Sequence, residues 1–301
     1  MPIFPRSATL LERMKQEIHF VTGKGGVGKS VIAAALALKK SREGKKVLLV
    51  ELGDQSFYKD FFDLAEITFK PTEIKKNLSV ALWTGEACLQ EYARHLIKVE
   101  SLAKLFFENA VMRAFINVAP GLPELAILGK VTSSPRQHGP PLPYDVLVVD
   151  AFATGHFLAL LEAPKGMAQA VQFGPMGEQS RSIDACLRNQ DLCKYHIVTL
   201  PEELPVKEAT ELMQRLQAEF SIAANLIVNK MIQTSVSDEE LKATQNENSD
   251  LAKFAEYLEH QIVHQRDMWN KAQEKATTMK AIPLYFETDA WALVEKVGDV
   301  L

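Results

Sequence analysis

The chain has 301 residues, of which 47% are hydrophobic, enough for one large α/β domain or two smaller ones with a continuous core. Charged residues make up 24% and the net charge is -4, which excludes an overall basic field for holding nucleic acid or an anionic membrane. The cysteines Cys88, Cys186 and Cys193 form no CxxC pair, so we predict a reducing compartment and a cytoplasmic location.

The amino-terminal segment, 1–17, has no long apolar run. Its charged residues predict a short helical arm rather than a secretory signal. Nowhere does the sequence contain a run of about 18 uncharged apolar residues, so we expect no membrane span and no stable membrane insertion.

Short, β-branched apolar runs alternate with helix-period segments along most of the chain. Such runs are typical of strands covered on both faces, and they predict an α/β fold with a mostly parallel sheet flanked by helices on both faces. The predicted strands span 17–22, 46–52, 145–151, 194–200, 224–230 and 281–286.

A glycine-rich loop follows the first predicted strand and precedes an alanine-rich helix. Gly23, Gly28, Lys29 and Ser30 satisfy the phosphate-loop pattern G-x-x-x-x-G-K-[ST] in the context that this pattern requires. We predict a P-loop NTPase fold in which backbone amides and Lys29 hold nucleotide phosphates and the Ser30 hydroxyl coordinates Mg²⁺. The predicted phosphate-contacting residues are Gly23, Gly25, Gly26, Val27, Gly28, Lys29, Ser30 and Val31.

The interval 56–142 breaks the alternation of strands and helices. It offers only one plausible strand, at 78–83, and 87–118 is predicted to be a helix rich in large apolar residues. We therefore predict a single domain, 1–301, with a helical insertion at about 56–142.

Asp150 follows four apolar residues at the end of a predicted buried strand. A carboxylate in this position is typical of the Walker B residue, which holds Mg²⁺ directly or through water.

Lys24 is a second lysine in a loop that requires only one. It could face solvent, reach the same phosphate from another direction, or reach the phosphate of another subunit. A lysine near the start of the loop projects away from the phosphates that its own loop wraps, which favours a neighbour.

The stretch GKGGVGKS resembles the deviant Walker A signature GKGG(x)GK[ST] of the ATPase class that contains MinD, ParA, the nitrogenase iron protein and ArsA. This resemblance implies a homodimer in which Lys24 crosses the interface and stabilises transition-state charge on the partner's nucleotide.

Further motifs are similar to the ArsA family, which includes the ATPases that target tail-anchored proteins. The stretch DAFATGHFLALLEAP, which begins at Asp150, resembles the family's D-T-A-P-T-G-H segment; PGLPELAIL and VTLPEELPVKEA resemble two others. The resemblance implies switch roles for Asp150, Thr154, Gly155 and His156, and an adenine site at Asn229, Pro283 and Leu284.

One departure concerns the aspartate that orients attacking water in the family. Here the sequence reads ELGDQSF, with Gly53 at that position, so Glu51 or Asp54 is the candidate substitute, and slow hydrolysis is a prospect. The family's zinc-binding CxxC pair and the metalloid cysteines are also not matched.

We predict a homodimeric, Mg²⁺- and ATP-dependent ATPase of the ArsA type. It could handle a hydrophobic helical protein client in a groove lined by Phe106, Phe107, Met112, Phe115 and Ile116, although these residues could equally pack the insertion onto the core. The alternatives are a nucleotide-gated scaffold with little hydrolysis and a positioning ATPase like MinD or ParA. No nucleic-acid partner is expected.

Overall fold

A central sheet of eight strands organises the described part of the chain. The computed structural model of the protein describes residues 16–96, 121–234, 236–245 and 250–301. The strands are β1 (Glu17–Gly23), β2 (Val47–Leu52), β3 (Thr72–Lys75), β4 (Leu78–Trp83), β5 (Val146–Ala153), β6 (Cys193–Thr199), β7 (Asn225–Met231) and β8 (Met279–Pro283).

The strand order across the sheet is β3-β4-β2-β5-β1-β6-β7-β8, so β1 lies between β5 and β6. Neighbouring strands are parallel except for β3, which runs antiparallel to β4 at one edge. Because parallel strands point the same way, their carboxyl ends meet at one edge, where α/β proteins bind ligands.

Helices cover both faces of this sheet. They are α1 (Lys29–Arg42), α2 (Phe57–Phe61), α3 (Gly85–Leu96), α4 (Leu122–Val131), α5 (Ser133–Arg136), α6 (Thr154–Ala170), α7 (Pro175–Arg188), α8 (Glu203–Phe220), α9 (Asp238–Gln245), α10 (Asp250–Gln273) and α11 (Ala290–Val300).

Two apolar cores lie on opposite faces because alternate residues of each strand point in opposite directions. In β5, for example, Leu147 and Val149 belong to the core under α4 and α6, whereas Val146 and Val148 belong to the core under α1 and α11. The predicted doubly covered, mostly parallel sheet is therefore confirmed.

Two features differ from the sequence-based predictions, and two further predictions fall on residues that the structure does not describe. The interval 56–142 contains β3 as well as β4; β3 was missed because its sequence, TEIK, is polar and half-exposed at the edge of the sheet. The last strand ends at Pro283, so 284–286 is not strand. Residues 1–15 of the predicted helical arm lie outside the described residues. The same is true of the candidate groove residues Phe106, Phe107, Met112, Phe115 and Ile116.

Candidate nucleotide-binding site

The glycine-rich loop joins β1 to α1 at the carboxyl edge of the sheet, in the middle of the strand order. Two of its glycines are required by close approach. A Cβ atom on Gly23 would lie 2.1 Å from the Val198 carbonyl oxygen, and one on Gly28 would lie 2.5 Å from the Asn229 amide nitrogen. Gly28 also has a φ of 91°, a left-handed conformation that favours glycine. The loop therefore packs against β6 and β7 with no room for side chains at these positions.

The amino terminus of α1 is open to an anion. Its N-cap, Gly28, supplies no capping side chain, and the first turn of α1 contains no acidic residue. The backbone amides of this turn are consequently free of a competing carboxylate, and the helix dipole adds positive potential there.

Lys29 begins α1 and folds back over its own loop, with its Nζ 3.2 Å from the Lys24 carbonyl oxygen. Burial lowers the pKa of Lys29, and the nearby Asp150 carboxylate acts in the opposite direction. This places a partly desolvated cation between the loop and Asp150, as a phosphate-binding lysine requires.

Asp150 lies on β5 and is 6% exposed; it pairs in register with Val21 of β1 on one side and Glu51 of β2 on the other. Burial raises the pKa of Asp150, while hydrogen bonds with the side chains of Ser30 and Tyr58 and the charge of Lys29 lower it. Ser30 and Asp150 thus bring a hydroxyl and a carboxylate together, and these hard oxygen ligands fit Mg²⁺.

Tyr58 is a site residue that the sequence analysis missed. Its ring is fully buried, and its hydroxyl lies 3.0 Å from Asp150 Oδ2 and 2.9 Å from the Ser30 carbonyl oxygen. Burial raises the pKa of Tyr58 well above its usual range, which keeps the phenol protonated as a donor. The only hint in the sequence is that Tyr58 carries the one hydroxyl in the aromatic run of Phe57, Phe61 and Phe62.

Glu51 and Asp54 are the two candidate substitutes for the water-orienting aspartate, and both carboxylate oxygens of Glu51 already accept hydrogen bonds. Its Oε1 accepts a hydrogen bond from the Phe57 amide at 2.6 Å, and its Oε2 accepts one from the Ser56 hydroxyl at 2.5 Å. Burial raises the pKa of Glu51, and these bonds lower it. Asp54 is exposed, and within the described ranges its carboxylate has neither a hydrogen bond nor an ion pair.

Lys24 turns away from its own loop and pairs with Glu208 on α8, with 2.8 Å between Nζ and Oε1. Each of the two side chains is 34% exposed. Lys24 is therefore accessible and held by a surface-type ion pair; its predicted contact with a second subunit's phosphate remains a prediction.

Asn229, near the end of β7, contacts the glycine-rich loop through its side chain. Its Nδ2 donates to the Val27 carbonyl oxygen at 2.9 Å, and its Oδ1 accepts from the Lys230 amide. Pro283 ends the neighbouring β8, and the Leu284 amide donates to the Met231 carbonyl oxygen at 2.8 Å. All three predicted adenine residues thus lie at the carboxyl edge of the sheet, and their contact with a base remains a prediction.

The predicted switch residues Thr154, Gly155 and His156 form the first turn of α6, immediately after β5. The imidazole of His156 is exposed, and its ring lies edge-on to Phe152 at 6.0 Å between centroids. In the loop itself, Gly25 and Gly26 are exposed, Val27 is buried, and Val31 packs against the core under α1.

Within the described ranges, no group of three or more histidine, cysteine or acidic residues is placed to hold a metal ion. None of the helices in that part of the chain is long and apolar enough to cross a membrane.

Comparisons with known proteins agree with these motifs. Residues 16–176 and 173–274 match the protein family described as "Anion-transporting ATPase". The chain is 32% identical to "ATPase BagA" of Mycobacterium tuberculosis, across 76% of this chain and 70% of that protein. It is 23% identical to "ATPase ASNA1 homolog 1" of Paramecium tetraurelia, across 76% of this chain and 79% of that protein. It is 28% identical to "Arsenical pump-driving ATPase" of Acidiphilium multivorum, across 66% of this chain and 34% of that protein. The chain therefore belongs to the anion-transporting ATPase family, as the ArsA-like motifs predicted, and it is an ATPase.

Proposed function

We propose that this ATPase works as a homodimer that hydrolyses Mg²⁺-bound ATP, with each subunit supplying Lys24 to the nucleotide of its partner. The observation that carries the proposal is the arrangement around the loop. Lys29 faces inward between the loop and Asp150, whereas Lys24 faces outward to Glu208 and is partly exposed. Two lysines five residues apart therefore face different neighbours, which supports a role for Lys24 outside its own phosphate loop.

Within one subunit, the loop binds and orients the triphosphate. The amides at the start of α1 and the ammonium of Lys29 neutralise phosphate charge, and Ser30 and Asp150 would hold Mg²⁺. When bound, Mg²⁺ supplies additional charge neutralisation for the phosphoryl group. Because phosphoryl transfer depends mainly on positioning and electrostatics, these residues account for most of the required chemistry.

The attacking water requires a hydrogen-bond acceptor. We favour Asp54 over Glu51, because both oxygens of Glu51 already accept hydrogen bonds, whereas the Asp54 side chain is exposed and unengaged within the described residues. Asp54→Asn is therefore expected to lower turnover at unchanged ATP affinity, which equilibrium binding and phosphate release measure separately.

Closure of the dimer would exchange one ion pair for another. In the single subunit, Lys24 is neutralised by Glu208; in the closed dimer, the partner's triphosphate would replace that carboxylate. The greater negative charge of the phosphates favours the exchange, and partly exposed ion pairs contribute only about 1 kcal/mol or less.

The experiment measures phosphate release and molar mass by light scattering, with and without Mg²⁺ and ATP. The expected result is a dimer with ATP, loss of hydrolysis in Lys24→Ala with ATP still bound, and loss of ATP binding in Lys29→Ala. Lys45→Ala, an exposed lysine outside the site, is the matched control. A protein that stays monomeric with ATP, or a Lys24→Ala variant that hydrolyses ATP normally, would overturn the dimeric mechanism.

The same assays separate the two alternatives. A nucleotide-gated scaffold would dimerise on ATP without releasing phosphate, which the altered ELGDQSF switch permits. A positioning ATPase would sediment with DNA or anionic liposomes in the presence of ATP, which the net charge of -4 disfavours.

A hydrophobic protein client is a proposal that rests on the family, and a cytoplasmic location is a proposal that rests on the three free cysteines. The residues predicted to line a client groove are outside the described part of the chain. Crosslinking of a purified apolar helix to the ATP-bound protein, but not to the Lys29→Ala variant, is the result expected for a client.

A further inference from the structure

A cavity of about 400 Å³ lies between α3, α4 and α7, on the face of the sheet opposite α1. Its walls are almost entirely apolar, with Leu89 from α3, Leu125 and Ala126 from α4, and Ile183 from α7. The volume falls within the range of roughly 300 to 1,000 Å³ that is usual for small-molecule sites. An apolar chain of moderate length therefore fits its interior.

One end of the cavity is polar and carries a positive charge. Arg136, at the end of α5, lines this end together with Gln179, His138 and Tyr92. The Arg136 guanidinium donates to three neutral oxygens: from Nε to Thr132 Oγ1 at 2.7 Å, from one Nη to Gln179 Oε1 at 2.8 Å, and from the other Nη to the Gly129 carbonyl at 2.9 Å. Three of its five N–H groups are thereby used, so two remain for a ligand.

No carboxylate neutralises Arg136 within the described ranges. Arg136 is half-buried, and this burial lowers the pKa of its guanidinium. Lys130, a buried cation on the neighbouring α4, differs in having a carboxylate partner, Glu91. A partly buried cation without a counter-ion is costly, and an anion bound beside it would remove that cost.

We propose that this cavity binds an amphipathic monoanion of the fatty-acid class, with its carboxylate on Arg136 and its aliphatic chain among Leu89, Leu125, Ala126 and Ile183. A carboxylate can accept two parallel N–H hydrogen bonds from a guanidinium, whereas the hydroxyl of an alcohol of the same length cannot. The site is separate from the phosphate loop, and the inference does not depend on the proposed dimeric mechanism.

The test measures binding of octanoate, 1-octanol and octylamine to the full chain by calorimetry and by thermal shift. Octanoate is expected to bind roughly 10- to 100-fold more tightly than octanol, because a hydrogen bond to a charged group contributes about 1.5 to 3 kcal/mol. Octylamine is expected to bind more weakly still, since its ammonium would face Arg136.

Two variants examine the two ends of the site. Arg136→Gln is expected to reduce octanoate affinity to the level of octanol. Ala126→Phe adds a ring among the apolar lining residues and leaves Arg136 itself unchanged. It should abolish binding of both ligands, so it remains informative if Arg136→Gln does not fold. Ala218→Phe, the same change at an exposed position of α8, should bind like the unmodified chain.

Equal affinity for octanoate and octanol would overturn the role of Arg136. Unchanged octanoate binding in Ala126→Phe would place the ligand elsewhere, and no binding of any probe would remove the site altogether. If an apolar helical peptide binds in the cavity and none of octanoate, octanol and octylamine binds there, the small-molecule assignment is wrong.

Discussion

Tyr58→Phe removes a single oxygen atom from the centre of the candidate magnesium site. The Tyr58 hydroxyl lies 3.0 Å from Asp150 Oδ2 and 2.9 Å from the Ser30 carbonyl. One proton cannot serve both acceptors fully, and the charged carboxylate is the stronger one. The substitution should therefore leave Asp150 with the Ser30 side chain as its remaining hydrogen-bond partner at the site.

The expected magnitude follows from the charge on Asp150. A hydrogen bond to a charged group contributes about 1.5 to 3 kcal/mol, and removing a residue that orients a metal ligand typically weakens metal binding by about 10- to 100-fold. We expect the Mg²⁺ concentration for half-maximal ATPase activity to rise by that factor. Because the Tyr58 bond lowers the pKa of Asp150, its loss should raise that pKa and move the acidic limb of the activity profile to higher pH.

The assay titrates Mg²⁺ against phosphate release at several pH values and measures Mg²⁺-free ATP binding separately. Tyr195→Phe is the matched control, because Tyr195 is also buried and donates to the Leu187 carbonyl at 2.7 Å, distant from the loop. Both variants should lose similar stability, and only Tyr58→Phe should change the Mg²⁺ dependence. An unchanged Mg²⁺ titration and pH profile for Tyr58→Phe would refute the reasoning.

Three further outcomes are expected. Glu208→Gln frees Lys24 in both subunits and should tighten the ATP-dependent dimer by up to about 30-fold, as sedimentation measures. Closure breaks one such ion pair in each subunit, and a partly exposed ion pair contributes about 1 kcal/mol or less; a weaker dimer would contradict this. Gly23→Ala should lower the free energy of unfolding by about 3 kcal/mol, because the added Cβ would lie 2.1 Å from a backbone oxygen. Gly25→Ala is the control, because a Cβ on Gly25 meets nothing within 4 Å. His196 is half-buried and stacks on His19; its burial, together with the charges of His19, Lys194 and Lys40, lowers its pKa to about 3, from 6.5 in the unfolded chain. Below pH 6.5 the unfolded chain therefore takes up a proton that the folded chain does not, and stability should fall by about 2 kcal/mol between pH 6.5 and pH 5. Urea unfolding of His196→Gln should lack this component, and parallel curves for the two proteins would contradict the assignment.

Much of the candidate nucleotide site could be predicted because its signals are local. The glycine pattern between a strand and a helix predicted the position of the phosphate loop. The four apolar residues before Asp150 predicted that Asp150 lies on a buried strand. The strands were predicted within a few residues for the same reason, except for β3. Its polar residues give no pattern because an edge strand buries little.

Contacts between distant parts of the chain could not be predicted in this way. Lys24 and Glu208 are 184 residues apart, Asn229 and Val27 are 202 apart, and Tyr58 and Asp150 are 92 apart. No periodicity or spacing relates such pairs, because they meet only when the strand order brings β5, β6 and β7 around β1.

The sequence by itself determined the parallel α/β class, the phosphate loop and the identity of the charged groups, because these depend on residue type over short stretches. Only the tertiary structure decided what each charged group faces: Glu51 caps a helix, Lys24 pairs with α8, and Arg136 has no counter-ion among the described residues. The physical reason is that the pKa of a side chain and its free hydrogen-bonding capacity depend on burial and on neighbours, which the packing of distant elements sets.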